Sequence, residues 1–476
     1  MTPKALFELC DELLNTVLRF AQPADTVVSA FFRANRSLGV RERHALAETA
    51  YAVLRERLKY QYLAKSGSGS IERRLAILAW QGSEAFLRAA TTPAEQEWLA
   101  HTQKINFGKL AQVQRDSLRH NLPAWLAEAL QAEVGEQFWP LVGAMQQSAG
   151  LDLRVNTQLT KRDAAQAALA AEGIDTVPTP WSPIGLRAVG KPTLNRTEVF
   201  NRGEVEVQDE GSQLLALLTE ARRGEMVVDF CAGAGGKTLA LGAMMRNTGR
   251  LYAFDVSAHR LAALKPRLAR SGLSNVYPAG IAHERDERIK RLSGKVDRVL
   301  VDAPCSGLGT LRRNPDLKWR QTPEAVLELV AKQQSILNSA ARLLKPGGRL
   351  VYATCSLLRA ENEAIAEAFS AAHPDFEPLD VAEILQRQGV ADARALTVPA
   401  GAAATAAVEV DRAVETAETA GPVESIEPAE GAEGAEGAET DANAAVEAPA
   451  SVASYLRLWP QVHGTDGFFA AAWRRR

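Results

Sequence analysis

Two cysteines stand just past apolar runs in the second half of this 476-residue chain. Cys305 follows Val299-Leu300-Val301-Asp302-Ala303-Pro304, and Cys355 follows Leu350-Val351-Tyr352-Ala353-Thr354. A thiol becomes a strong nucleophile once it loses its proton. Ahead of both lies a glycine-rich loop, Cys231-Ala232-Gly233-Ala234-Gly235-Gly236-Lys237-Thr238. One nucleophile, a second thiol and a cofactor loop point to covalent catalysis on an unreactive substrate. A lone cysteine reads as a small buried hydrophobe. Two on one rim, one of them after Asp-Ala-Pro, read as chemistry.

Carbon 5 of cytosine suits this set. It is a poor nucleophile until a thiolate adds at carbon 6, and a proton must then leave carbon 5 so that the thiol can depart. That sequence needs a nucleophilic cysteine, a group near ring N3 and a second group for the elimination. Asp302 supplies the hydrogen bond and Cys305 the elimination base. Methylation of an exocyclic amine needs no covalent step and usually presents Asn/Asp-Pro-Pro-Tyr/Phe at this strand end. Asp302-Ala303-Pro304-Cys305 points instead to carbon methylation.

The glycine-rich loop fits neither of two common nucleotide patterns. A phosphate-binding G-x-x-x-x-G-K-[ST] needs Gly at position 231, which is Cys231, and a dinucleotide G-x-G-x-x-G fails at Thr238. A smaller adenosyl ligand such as S-adenosylmethionine fits better, with Asp255 at the end of the next strand placed for ribose hydroxyls. A plain tight turn is the other reading.

The elements that position these residues alternate between strand and helix from about Val205, which predicts a parallel sheet with helices on both faces. Strands are expected at 226–230, 250–254, 275–278, 296–301 and 349–354. Helices are expected at 237–245, 257–271 (stopped by Gly272) and 323–344 (stopped by Lys345-Pro346-Gly347-Gly348). Ligands in such sheets bind past the carboxyl ends of the strands. That puts Asp302, Cys305, Cys355 and the glycine-rich loop on one rim. Residues 1–145 read as helical, 150–205 as a small α+β linker module, and 206–395 plus 451–476 as the main α/β domain. Gly467–Ala472 is a strand able to complete the sheet. Residues 396–450, rich in Ala, Glu and Gly, are expected to be a disordered acidic insertion.

Composition, 46% hydrophobic and 24% charged, is that of a globular protein. No apolar run approaches the roughly 20 residues of a membrane span. The acidic residues near the N-terminus do not suit a signal peptide, so a cytoplasmic protein is expected. Four scattered cysteines give neither a disulfide framework nor zinc spacing, so no metal is expected. Nothing in the sequence demands more than a monomer. Glu409 to Glu447 carries a charge of −11 within an overall −2, leaving +9 elsewhere. That balance permits a polyanionic partner.

Asp-Ala-Pro-Cys-Ser-Gly, Ala-Thr-Cys-Ser and Gly-Gly-Lys-Thr resemble the Sun/NOP family of RNA cytosine-C5 methyltransferases, in its RsmB-like bacterial branch that acts on 16S rRNA. The resemblance implies a Rossmann-like methyltransferase domain behind a helical NusB-like RNA-binding domain, the latter carried by Arg43 and Tyr51-Ala52-Val53-Leu54-Arg55. It makes Cys355 the nucleophile and Cys305 the residue that promotes product release. Cys231, Ala232, Gly233, Ala234, Gly235, Gly236, Lys237, Asp255 and Asp302 would line the S-adenosylmethionine site. Arg312, Arg313, Lys318, Trp319 and Arg320 match a basic loop expected near RNA. One departure is Ala282, where the family usually has an acidic residue facing the adenine, with Glu284 or Asp286 as the available replacements. The alternatives are a tRNA substrate and a non-catalytic RNA-binding assembly factor.

Overall fold

A computed structural model describes residues 1–401 and 453–476. The acidic insertion expected at 396–450 therefore lies, from 402 onward, outside the described residues.

The N-terminal helices form because apolar residues recur every three or four positions behind well-capped starts. α1 (Pro3–Val17) opens at Thr2, whose hydroxyl accepts from the Ala5 N–H, with Pro3 where no helical N–H is needed. Its Leu6, Phe7, Cys10, Leu13, Leu14 and Val17 are all buried. α2 (Ala24–Ala34), α3 (Val40–Arg55), α4 (Arg57–Leu63), α5 (Ile71–Ala79) and α6 (Glu84–Ala90) close around them. α7 (Pro93–Thr102) and α8 (Gln112–His120) follow.

The next two helices, α9 (Ala124–Val134) and α10 (Phe138–Gln146), pack elsewhere. Their Leu126, Leu130, Leu141 and Val142 share a core with Leu308, Leu311, Val326, Leu357 and Leu358, which follow the two cysteines. The helical unit expected to run to 145 thus gives its last two helices to the cysteine side. Periodicity reveals a helix but not its partner.

A small antiparallel sheet comes next. It is built of β1 (Leu151–Val155), β2 (Thr176–Pro178), β3 (Gly185–Ala188) and β4 (Val205–Val207), in the order β2-β3-β1-β4. The helix Arg162–Ala171 covers it through Ala165 and Leu169.

The main sheet contains β5 (Met226–Asp229), β6 (Arg250–Asp255), β7 (Val276–Gly280), β8 (Val296–Asp302), β9 (Leu344–Thr354), β10 (Phe376–Pro378), β11 (Thr397–Pro399), β12 (Ser454–Leu458) and β13 (Phe468–Arg475). Its order is β11-β12-β13-β9-β8-β5-β6-β7, with β10 beside β13. The run β9-β8-β5-β6-β7 is parallel, and β13 joins it antiparallel to β9. This is a Rossmann-like sheet. Chain order reverses between β5 and β8, so a crevice opens past their carboxyl ends.

Alternation along the strands sends successive side chains to opposite faces. Leu300, Val351, Ala470 and Ala472 enter one core layer, while Val299, Val301, Leu350, Tyr352, Phe469 and Trp473 enter the other.

Two expectations are corrected here. Lys345-Pro346-Gly347-Gly348 is not a stop between helix and strand but lies inside β9, which already pairs Leu344 with Val296 and resumes at Arg349 opposite Arg298. Residues 396–399 are not part of a loose insertion. Leu396 is buried, and Thr397–Pro399 pairs with Ser454–Leu458, an edge that no local pattern announces. Among the described residues, no helix is long and apolar enough to cross a membrane.

Candidate active site

β8 and β9 run parallel in a register that sets Asp302 opposite Ala353, so the turns after them leave the sheet at one level. Cys305 and Cys355 are carried there with their sulfurs 3.4 Å apart. The hydrogen bond with Cys355, together with burial, pushes the Cys305 thiol well up. The two turns are also joined through backbone: the Gly309 N–H donates to Cys355 O at 2.8 Å, and the Gly467 N–H donates to Gly309 O at 2.8 Å.

Asp302, about a third exposed, accepts from Lys237 Nζ at 2.8 Å. Burial opposes the Lys237 ammonium. Asp302, with help from Cys355 and Asp229, more than offsets this and holds the lysine above its usual range. A cation and a half-open carboxylate thus stand beside the thiols.

The glycine-rich loop follows β5. Gly235 has φ +83°, and a Cβ there would lie 2.1 Å from Leu264 Cδ1, so both backbone and packing demand glycine. Beside it, a Cβ on Gly233 would meet nothing within 4 Å, which leaves an open approach to the backbone. Asp255 braces the loop, with Oδ2 accepting from the Gly233 N–H and Oδ1 from the Ser257 N–H. Arg267 donates to Ala234 O at 2.6 Å. Cys231 lines the loop, but burial first, and then Asp229, Asp302 and Asp255, push its thiol up, so it contributes shape rather than reactivity.

Asp229, at the end of β5, escaped the sequence reading. Thr238 Oγ1 donates to its Oδ2 at 2.7 Å, while its Oδ1 is buried without a partner. Burial pushes its carboxyl up to about 7 against the Thr238 bond. The orphaned carboxylate oxygen suits a cationic or amino-bearing part of a ligand, while the open glycine and the start of the helix Gly236–Met244 suit an anionic part. The available signal was an acidic residue ending the strand before the loop.

A family model described as 16S rRNA methyltransferase RsmB/F matches residues 216–401, and one described as Methyltr_RsmF/B-like, ferredoxin-like domain matches 122–192. A probable ribosomal RNA small subunit methyltransferase B of Synechocystis is 37% identical over 284 residues, which cover 58% of this chain and 61% of that protein. The ribosomal RNA small subunit methyltransferase B of Photorhabdus laumondii is 30% identical over 387 residues, covering 76% of this chain and 89% of that protein. The chain belongs to the 16S rRNA methyltransferase RsmB/F family.

The crystal structure of PH0851 superposes with a TM-score of 0.71 over 99% of both chains at 23% identity, which establishes a shared fold. The ferredoxin-like match, 122–192, begins at the start of the core that α9 and α10 share with the cysteine turns.

The basic loop expected to face RNA also makes bonds within the protein, and of its five residues Lys318 alone is buried. Lys318 is buried and donates to Arg55 O at 2.8 Å, and Trp319 Nε1 donates to Leu54 O at 2.7 Å. α3 ends at Arg55, and its last carbonyls have no helical partner, so this segment supplies their donors. Arg312 donates to Gly464 O and Thr465 O, and Arg313 bridges Asp209 and Asp466. Arg320 pairs with Asp316, which also accepts from the Ala24 N–H. Asp316, Lys318 and Trp319 tie the helical domain to the segment after Cys305, while Arg312 and Arg313 tie that segment to residues 464–466 and Asp209.

At Ala282 the two named replacements are also occupied. Asp286 accepts from the Ala282 and Arg288 N–H groups, and Glu284 accepts from Ser335 Oγ.

Burial, with a smaller push from Arg55, lowers the Lys318 ammonium to about 7. The unfolded chain therefore binds more protons at this site between about pH 7 and 10.4, and stability rises with pH across that window. Lys318→Met is expected to flatten the rise of Tm from pH 7 to 10, with a contribution on the order of a few kcal/mol at the alkaline end. Thermal melts of both proteins across that range check this. Parallel pH profiles would contradict it.

Proposed function

We propose that this chain transfers a methyl group from S-adenosylmethionine to carbon 5 of a cytosine in 16S rRNA, through a covalent adduct on Cys355. The observation that carries this reading is the pair of sulfurs 3.4 Å apart on the rim that also bears Asp302 and the glycine-rich cradle. The two named relatives support the RNA class.

S-adenosylmethionine supplies an electrophilic methyl group. Gly233 to Lys237, Asp229 and Asp255 would hold it. A target base unstacked from its strand brings carbon 6 to Cys355. The thiolate adds there, and electron density moves to carbon 5, which takes the methyl group. Asp302 is placed to hold a proton at ring N3, where charge gathers in the adduct, with Lys237 fixing its carboxylate. Loss of the carbon-5 proton then re-forms the ring double bond and breaks the carbon–sulfur bond. The sequence reading makes Cys305 the base for that proton. Cys305, whose sulfur stands 3.4 Å from that of Cys355, takes that proton as a thiolate once its own has passed to solvent.

A second reading, an RNA-binding assembly factor, draws on Ala282, whose named replacements are occupied elsewhere. The test is transfer of labelled methyl groups to unmodified 16S rRNA and to tRNA, followed by nucleoside analysis. Label in 5-methylcytosine of 16S rRNA is expected. Label confined to tRNA would keep the chemistry and move the substrate. No labelled RNA, with no heat of S-adenosylmethionine binding, would favour the assembly factor.

A further inference from the structure

The geometry points to Glu361 as a positioning residue that sets the distance between the two thiols. This deepens the reading above and rests on its two-thiol chemistry.

Glu361 ends a single 3-10 turn, Arg359–Glu361, six residues beyond Cys355, and is 0% exposed. Its Oε1 accepts from the Ser306 N–H at 2.8 Å and from Gln333 Nε2 at 3.0 Å. Its Oε2 accepts from the hydroxyls of Ser306 and Ser356, each at 2.5 Å. Those serines directly follow Cys305 and Cys355, and their hydroxyls lie 3.2 Å apart. One carboxylate therefore spans both cysteine turns immediately below the sulfurs.

The grip extends to the other side of each cysteine. Gln333 Nε2, while bonded to Glu361, also donates to Pro304 O at 3.0 Å, one residue before Cys305. Asn362 donates to Ser356 O at 3.0 Å and accepts from Thr354 Oγ1, so it holds both neighbours of Cys355. Tyr352, within β9, donates to Glu361 O at 2.6 Å and anchors the carboxylate's own backbone to the sheet.

All four donors to the carboxylate are neutral, and among the described residues no ion pair reaches it. Burying a carboxylate with no cation costs free energy that apolar packing would avoid. What it provides here is rigidity. Past the strand ends the backbone joins the two turns through the Gly309 N–H and Cys355 O. The side-chain bonds to Glu361 fix the residues directly after each cysteine and so keep sulfur opposite sulfur. A loss of about 1 Å in such an alignment is worth roughly a hundredfold in rate.

The test pairs one readout of geometry with one of catalysis. Diamide oxidises two neighbouring thiols to a disulfide and takes up their two hydrogens. Its rate of linking Cys305 to Cys355, read by peptide mapping, reports how often the sulfurs meet, without RNA or cofactor. For Glu361→Gln we expect that linkage to slow at least about tenfold. We also expect kcat for RNA methylation to fall by about a hundredfold, with KM for RNA and for S-adenosylmethionine within about twofold. Ser306→Ala and Ser356→Ala each remove one donor and should shift both readouts the same way by less. They serve if Glu361→Gln does not fold. Folded variants that link their thiols at the wild-type rate would overturn the role, as would an unchanged kcat. If wild type methylates no RNA, the proposed function fails, while the linkage rates still decide the positioning role.

Discussion

Cys355→Ala is expected to leave no measurable methyl transfer, a loss of at least about ten-thousandfold, because it removes the group proposed to add at carbon 6 and not merely a contact. Cys305→Ala is expected to fail differently. In the proposed mechanism methyl transfer to carbon 5 precedes the step Cys305 assists, so RNA should accumulate bound to the protein through Cys355. The 3.4 Å approach of the two sulfurs underlies this contrast, since the alanine variant has no sulfur to take the carbon-5 proton. Denaturing gels with labelled RNA, on the two single variants and on the double variant, separate the cases. A retarded band should appear for Cys305→Ala alone. Transfer by Cys355→Ala, or an adduct that survives in the double variant, would remove the covalent role from Cys355.

Gly309→Ala should disable the protein without touching a reacting atom. A Cβ at Gly309 would stand 2.1 Å from Gly467 O and 2.8 Å from Cys355 O. Both are backbone atoms, so no side chain can swing away to make room. The methyl group forces apart the two hydrogen bonds that join the turn after Cys305 to Cys355 and to the start of β13. A destabilisation of about 3 kcal/mol or more is expected, with a fall in Tm of roughly 6–12 °C. Activity should drop further than stability explains, because the displaced carbonyl belongs to the nucleophile. Calorimetry beside single-turnover methylation measures both, and a variant with wild-type melting and turnover would show that the segment yields more easily than its contacts indicate.

Much of the site was legible because its chemistry is local. Strand ends, glycines and thiols occur in short consecutive runs, and period-two apolar patterns place those runs on one rim. Gly272 adopts φ +72° where the sequence stops the helix Ala258–Ser271. The strand expected at Gly467–Ala472 is β13, which sits in the middle of the sheet.

The residues that were missed or misplaced share a cause. Glu361, within Arg359-Ala360-Glu361-Asn362-Glu363, reads as one charge among several on a surface turn, yet it is wholly buried. Lys318 and Trp319 read as an RNA-facing pair, yet they close the end of α3, more than 250 residues earlier in the chain. α9 and α10 read as more of the helical domain, yet they pack on the cysteine turns.

The sequence by itself determined the fold class, the candidate reacting groups and the rim that bears them, because covalent identity and short-range periodicity are written residue by residue. Only the tertiary structure decided which charges are buried, which helix end the basic loop completes and how far apart the two sulfurs stand. Those depend on donors and acceptors that meet across long stretches of chain, and a polar side chain's role is set by whether it finds a partner when water is excluded.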